Sequence, residues 1–260
     1  MSFDILKNSI KKFISLLGYE VRNANYYVKR NAFNTQFEIL SKYNSSESRI
    51  ILDIGAFDGK TAIAYHKLFP NAIIYSFEPY SLSYNQLTNA VKGYKNIKTF
   101  KNAIAEKSGK LNLNINNSFA TNSLLSSNKT DSEIDNLITT EGSELVDVVC
   151  IDEFAENQKL NKIDVLKLDI QGGELAALKG AIKMLEKQSI SLIYVEVEFI
   201  EIYKNQPLFH TIVEYLASYK YKLFNIYNMH NNNNGQLLWA DAIFISEKVE
   251  QEIKSKELFL

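Results

Sequence analysis

Cysteine is all but missing from this sequence. Cys150 stands alone among 260 residues, which excludes an intrachain disulfide framework and a cysteine-rich zinc site. It reads as a space-filling residue in a strand. Histidine is scarce as well: His66 falls on a predicted helix, His230 in an Asn-rich turn, and His210 directly after Gln206-Pro207-Leu208-Phe209. Neither sign of charge dominates, since 29 basic against 30 acidic side chains leave a net charge of −1. The lysines and arginines are scattered rather than striped, so nothing points to a nucleic acid or an anionic membrane as partner. Uninterrupted apolar runs of membrane-spanning length are absent too. The N-terminal stretch MSFDILKNSIKKFISLLGYEV is amphipathic, and Lys7, Lys11 and Lys12 break what a secretory signal would keep apolar. No stable membrane insertion and a cytoplasmic location are the expectations.

What is present suits one sizeable α/β domain with short appendages. Hydrophobic residues make up 46% of the chain, with fifteen Phe and fifteen Tyr, enough for a large core. The boundaries read as a helical extension over 1–45, a main domain over 46–248 and a charged, fraying tail over 249–260. The extension contains two predicted helices, the second near Asn31 to Tyr43. It reads as a cap, a lid or a surface for homodimer formation.

The most informative stretch is RIILDIGAFDGKT, Arg49 to Thr61. A short apolar run ends in Asp53, Gly55 and Gly59 bracket a tight turn, and a helical pattern follows from Lys60 to Phe69. Strand, glycine turn and helix together open a nucleotide-type crevice. Glycine lets backbone approach a ligand, and the helix start aims N–H groups at it. Asp53 and Asp58 flank this turn, where they would repel a pyrophosphate and attract a ligand carrying an ammonium and a sulfonium. S-adenosylmethionine has both. The third glycine of the dinucleotide fingerprint is also missing. The next strand, AIIYSF, ends in Glu78-Pro79, about 20 residues past the turn, where an acid grips a ribose diol.

Strand and helix then alternate, which argues for a parallel sheet covered on both faces. Strands are expected at Ile73–Phe77 and Ile97–Phe100, with a helix at Ser81–Val91. A hairpin is expected to follow, pairing Ala103–Ala105 with Leu111–Ile115. Asn116 to Glu144 is polar and reads either as a flexible cover over the crevice or as ordinary surface disorder, and Val146–Ile151 as a strand ending at Asp152. Ile163–Leu168 is a strand ending in Asp169, before Gln171-Gly172-Gly173-Glu174 and a helix with Leu175, Leu178, Ile182 and Leu185 on one face. Asp169 therefore shares a sheet edge with Asp53. In Leu192–Glu198, Tyr194, Glu196 and Glu198 share one face. Two glutamates in an otherwise apolar strand are costly unless they face a polar cavity or a partner. Tyr203–Phe209 reads as an extended loop, Thr211–Ser218 as a helix, and Tyr221–Ile226 and Ala242–Ile245 as closing strands around the turn MHNNNNG. The fold class expected is a Rossmann-like α/β fold: a mostly parallel, twisted seven-stranded sheet with an antiparallel last strand.

Four segments in this order resemble the FkbM family of S-adenosylmethionine-dependent methyltransferases. They are DIGAFDG at 53–59, FEP at 77–79, KLDIQGGELAALKGA at 167–181, and YKNQPLF at 203–209 with the closing GQLLWADAIF at 235–244. The resemblance runs from about 49 to 246. The first two segments are general to the methyltransferase fold, while D-x-Q-G-x-E followed by L-K-G-A and the Y-x-x-Q-P-L-F stretch are more diagnostic. Asp58 departs from the amide or His frequent in the family, and Cys150 stands where Thr is frequent.

The resemblance implies O-methylation of a small-molecule or glycan hydroxyl, on a sugar of a polysaccharide, lipopolysaccharide or glycosylated metabolite. Gly55, Phe57, Gly59 and Thr61 would shape the methionine end of the cofactor site, with Asp53 and Asp58 attracting its cationic groups. Glu78 would hold the ribose hydroxyls, Asn102 and Ala103 would lie against the adenine, and Ser123 with Leu124 would close over it; Pro79 and Gln171 would be further cofactor contacts, and Asp169 would sit nearest the methyl group. Asp169 would orient or deprotonate the acceptor, and Glu196 and Glu198 are the other candidate bases. No metal site is assigned; were Mg²⁺ needed, Asp169, Glu196, Glu198 and Asp241 would supply oxygens. A dinucleotide-dependent oxidoreductase and a non-catalytic interaction module on the same scaffold are the alternatives.

Overall fold

The computed structural model describes residues 31–43, 48–128 and 138–257. The first predicted helix and residues 129–137 of the polar cover lie outside them. The seven strands of the main sheet are β1 (Ile50–Ile54), β2 (Ile73–Phe77), β3 (Ile97–Phe100), β7 (Ile163–Leu168), β8 (Ile190–Glu198), β9 (Tyr221–Asn231) and β10 (Leu237–Ser246). Their order is β3-β2-β1-β7-β8-β10-β9. β1, β2, β3, β7 and β8 run parallel, and β10 is antiparallel to both β8 and β9. Chain order reverses between β1 and β7, and that switch point opens a crevice at the strands' carboxyl ends. The fold class expected from the sequence is the one observed.

The sheet is central because its middle strands are apolar on both faces. All six residues of β7, IDVLKL, are buried, the pattern of a parallel strand covered twice. Leu52, Ile54, Leu166, Leu168, Ile193 and Val195 point to one side. There they pack on α4 (Ile151–Asn157), α5 (Glu174–Lys179), α6 (Ile182–Glu186) and α7 (Phe209–Ser218). Ile51, Val165, Leu192 and Ile243 point to the other side, onto α1 (Ala32–Tyr43), α2 (Lys60–Leu68), α3 (Ser81–Val91) and α8 (Glu247–Glu257).

Several expectations are corrected. α1 is not a cap over the crevice: Leu40 and Ile39 are buried in the sheet's second core, and Gln36 accepts a hydrogen bond from Tyr65 at 2.9 Å. The tail does not fray through its described part, because Val249 and Ile253, one turn apart, bury a stripe that its many charges disguise. The hairpin does not form. β4 (Ala103–Ile104) and β5 (Gly109–Asn116) both pair with β6 (Thr140–Val149), in a separate three-stranded sheet of order β4-β6-β5. Ile151 and Asp152 belong to α4, not to a strand, and both Asp152 carboxylate oxygens accept backbone N–H groups at the start of α6. The single helix expected after Glu174 is two, interrupted at Gly180, where a Cβ would sit 2.4 Å from the Ala105 carbonyl oxygen. Ile182 is consequently exposed. Both closing strands are longer than expected, with Met229–Asn231 inside β9, so the turn contracts to Asn232–Gln236.

Among the described residues, no helix is long and apolar enough to cross a membrane.

Candidate active site

A cavity of about 360 Å³ occupies the switch point, within the usual size of a small-molecule site. One end is lined by Glu78, Pro79, Asn102 and Ala103, and the other by Asp169, Gln171 and Gly173. Between them lies the turn of Gly55, Ala56, Phe57 and Asp58, with Thr61 from the first turn of α2 behind it. Phe119, Ala120, Asn122 and Leu124 form an outer wall.

The turn is shaped by local necessity. Gly55 has φ +78 and Gly59 φ +83, a region that side chains resist. Both Gly55 and Ala56 donate to the Phe77 carbonyl, which ties β1 to the end of β2. Glu78 completes the clasp by accepting the Phe57 and Tyr80 N–H groups, each at 3.0 Å. Burial pushes its carboxyl up to about 7 against these hydrogen bonds.

The two aspartates are placed differently from expectation. Asp53 does not line the cavity; it is fully buried beneath the turn, and burial raises its pKa. Its partner is Lys167 from β7, directly opposite in register and 3.5 Å away, while neither carboxylate oxygen makes a hydrogen bond. Asp58 does line the cavity, but Lys60 pairs with it at 2.6 Å. The negative lining therefore rests on Glu78 and Asp169 more than on the flanking pair. Ser123 also departs from its predicted place. It is buried outside the lining, donates to the Gln171 carbonyl at 2.6 Å and so pins the outer wall to the second turn.

Lys167 is the residue at this site that sequence reasoning passed over. Its ammonium donates to the carbonyls of Gly55 at 2.7 Å and Ile54 at 3.2 Å, and reaches Asp169 at 3.4 Å. Burial opposes its charge, but Asp169 and Asp53 outweigh burial and raise its pKa. One cation thus joins the glycine turn to Asp169. The available signal was a lysine inside an otherwise buried apolar strand.

Register explains why the remaining carboxylates gather. Glu196 on β8 faces Asp241 on β10, and two pairs further along Glu198 faces Trp239, itself opposite His230. Asp241 accepts from Tyr194 at 2.7 Å and Asn228 at 2.6 Å. Gln171, at φ +56, donates to Glu196 at 2.7 Å and Asp169 at 3.3 Å and accepts from Tyr203 at 3.0 Å. Burial, reinforced by neighbouring carboxylates, pushes Glu196 and Glu198 well above the carboxylate range. Glu174, expected only to complement a helix dipole, is buried beside this pair. His210 is exposed on α7 and takes no part.

A glycine turn, an acid at the end of the second strand and a polar rim at the switch point, on a sheet closed by an antiparallel strand, define a Rossmann-like methyltransferase. The family model for the methyltransferase FkbM domain matches residues 53–223. The chain belongs to this family, and it is a methyltransferase with S-adenosylmethionine as its cofactor. A curated relative, the 2-O-methyltransferase NoeI of Sinorhizobium fredii, is 24% identical over 177 residues, covering 66% of this chain and 72% of the relative. Among solved structures, TrmK of M. capricolum in complex with S-adenosyl-homocysteine shares 12% identity, with a TM-score of 0.44 over 83% of this chain and 67% of that one. Aeropyrum pernix fibrillarin with S-adenosyl-L-methionine shares 12%, with a TM-score of 0.42 over 76% and 66%.

Proposed function

We propose that the protein transfers a methyl group to a hydroxyl of a sugar, in a polysaccharide, lipopolysaccharide or glycosylated metabolite. One observation supports this reading: a single cavity has an acid, Glu78, at one end and Asp169 with Gln171 at the other. Its residues fit the cofactor. Glu78 would accept the ribose hydroxyls, Asn102 and Ala103 would flank the adenine beside Phe119, and Gly55 to Thr61 would enclose the methionine end. When bound, S-adenosylmethionine supplies an activated methyl group together with its own thioether leaving group.

The chain's task is then to align a hydroxyl, take its proton and keep water out. Asp169, paired with the Lys167 cation and half-exposed to the cavity, orients the acceptor oxygen and receives its proton as the O–CH₃ bond forms. Gln171 holds Glu196 beside Asp169, which gathers several carboxylate oxygens on the acceptor side. The name of NoeI as a 2-O-methyltransferase supports an oxygen acceptor. Residues 46–248 carry the chemistry, braced by α1 and α8.

Calorimetry with S-adenosyl-homocysteine against NAD⁺ tests the cofactor half. Micromolar binding of the first and none of the second is expected. The affinity has a defined pH dependence. Ribose hydroxyls need an ionised Glu78, whose pKa lies at about 7 in the free protein. Affinity should therefore fall as pH drops from 8 to 6, by up to about tenfold per unit below that value. Stability should run the other way for this group, since a raised carboxyl pKa stabilises the folded state as pH falls from 7 toward 4.5. Glu78→Gln should flatten the affinity profile; an unchanged slope in that variant removes Glu78 from the site. Incubation with labelled cofactor and a panel of activated and lipid-linked sugars tests the acceptor half. Product mass on a sugar oxygen is expected, and label only on non-carbohydrate acceptors would refute it.

A further inference from the structure

We infer that Glu174, Glu196 and Glu198 form a binding site for one divalent cation of the hard, oxygen-seeking kind, Mg²⁺, Mn²⁺ or Ca²⁺. One carboxylate oxygen from each lies within 4.8 Å of the other two. These are not surface acids: Glu174 is 1% exposed and Glu198 3% exposed. Among the described residues, no lysine, arginine or histidine forms an ion pair with any of the three, and the nearby Lys167 is taken by Asp53 and Asp169. The polar side chain that meets them is an amide, Gln171, which donates to Glu196 at 2.7 Å. Buried charges without a counter-ion are costly.

A second observation concerns the free atom. Glu174 Oε1 accepts the Ile170 N–H at 2.9 Å and anchors the start of α5. Its other oxygen, Oε2, is buried and has no hydrogen-bond partner. A buried carboxylate oxygen left open beside two further carboxylates offers a cation a ready ligand. Three carboxylate oxygens suit hard divalent ions over zinc or copper, which favour nitrogen and sulfur. The sequence assigns no metal site, and this set differs from the oxygens it would offer were one needed. Asp241 is engaged by Tyr194 and Asn228, and Asp169 by Lys167, so Glu174 takes their place.

The cation would sit beside the acceptor end of the cavity, where it lowers the pKa of a coordinated hydroxyl and eases removal of its proton. That role rests on the transfer reading above; the site itself does not.

The test uses the full chain, stripped with chelator and titrated with Mn²⁺ at about pH 8, where carboxylates are free to bind metal. Water-proton relaxation or electron paramagnetic resonance reports the bound ion. One Mn²⁺ per chain is expected, displaced by Mg²⁺ or Ca²⁺, and weakened about tenfold or more by Glu196→Gln and by Glu198→Gln. Asp241→Asn should leave it within about twofold. S-adenosyl-homocysteine binding, measured on the same samples, reports folding and the cofactor site independently. Absence of Mn²⁺ binding up to millimolar concentration in protein that binds S-adenosyl-homocysteine overturns the cation site and leaves the methyltransferase reading intact. Equal Mn²⁺ binding in the two glutamine variants, or a loss in Asp241→Asn as large as theirs, overturns it also. Mn²⁺ bound without any affinity for S-adenosyl-homocysteine would instead overturn the cofactor assignment and keep the cation site.

Discussion

Lys167→Met should lower the free energy of unfolding by about 3–5 kcal/mol, the cost of leaving a buried charge without its partner. Asp53 is the charge in question, fully buried and with Lys167 as its ion-pair partner at 3.5 Å. Methionine fills much of the same space, so packing accounts for little of the loss. The two carbonyls that Lys167 now caps, those of Ile54 and Gly55, would lose a charged donor as well. A double variant, Lys167→Met with Asp53→Asn, removes the orphaned charge and should recover most of the stability. Urea unfolding of the four proteins closes the cycle. If the single variant is as stable as wild type, the pair does not hold the turn to β7.

Gly55→Ala should be more damaging still, at about 4 kcal/mol or more. Here the obstruction is backbone, which cannot swing aside. A Cβ on Gly55 would lie 1.8 Å from the Asp169 carbonyl oxygen and 2.9 Å from its carbon. The φ of +78 adds strain of its own. Relief requires β1 and β7 to part at their carboxyl ends, where Asp169 N–H now reaches the Ile54 carbonyl at 3.2 Å. Cofactor affinity should vanish even where the variant stays folded, because that same edge forms the cavity wall. Gly93→Ala is the control, since nothing lies within 4 Å of the added carbon and its φ is ordinary. Thermal melts with and without S-adenosyl-homocysteine separate the two effects; a Gly55→Ala protein with wild-type melting and ligand shift would refute the geometry.

Much of the site could be read before any fold was known. Gly55, Gly59, Glu78 and Asp169 announce themselves because a strand, a turn and an acid at fixed spacing are local in the chain. The same locality made the strands of the main sheet legible, since β1, β2, β7 and β8 are apolar runs bounded by turns. Errors arose where a residue's role depends on a distant partner. Asp53 looks like a ligand for a cation from the cofactor until β7 brings Lys167 opposite it. Ala103–Ile104 looks like half a hairpin until Thr140–Val149 inserts itself between the two strands. The tail looks solvated until α1 presents an apolar face to Val249 and Ile253.

The sequence by itself determined the strands of the main sheet, the glycine turns and the kinship to a methyltransferase family, because each is written in short-range pattern. Only tertiary structure decided which carboxylates are spent on internal pairing and which are left to act. Strands distant in the chain become neighbours at less than 5 Å, and at that range charge and burial, not spacing along the chain, select the partner. Asp53 was thereby committed to Lys167, and Glu174, a residue that sequence alone assigns to a helix end, joined Glu196 and Glu198.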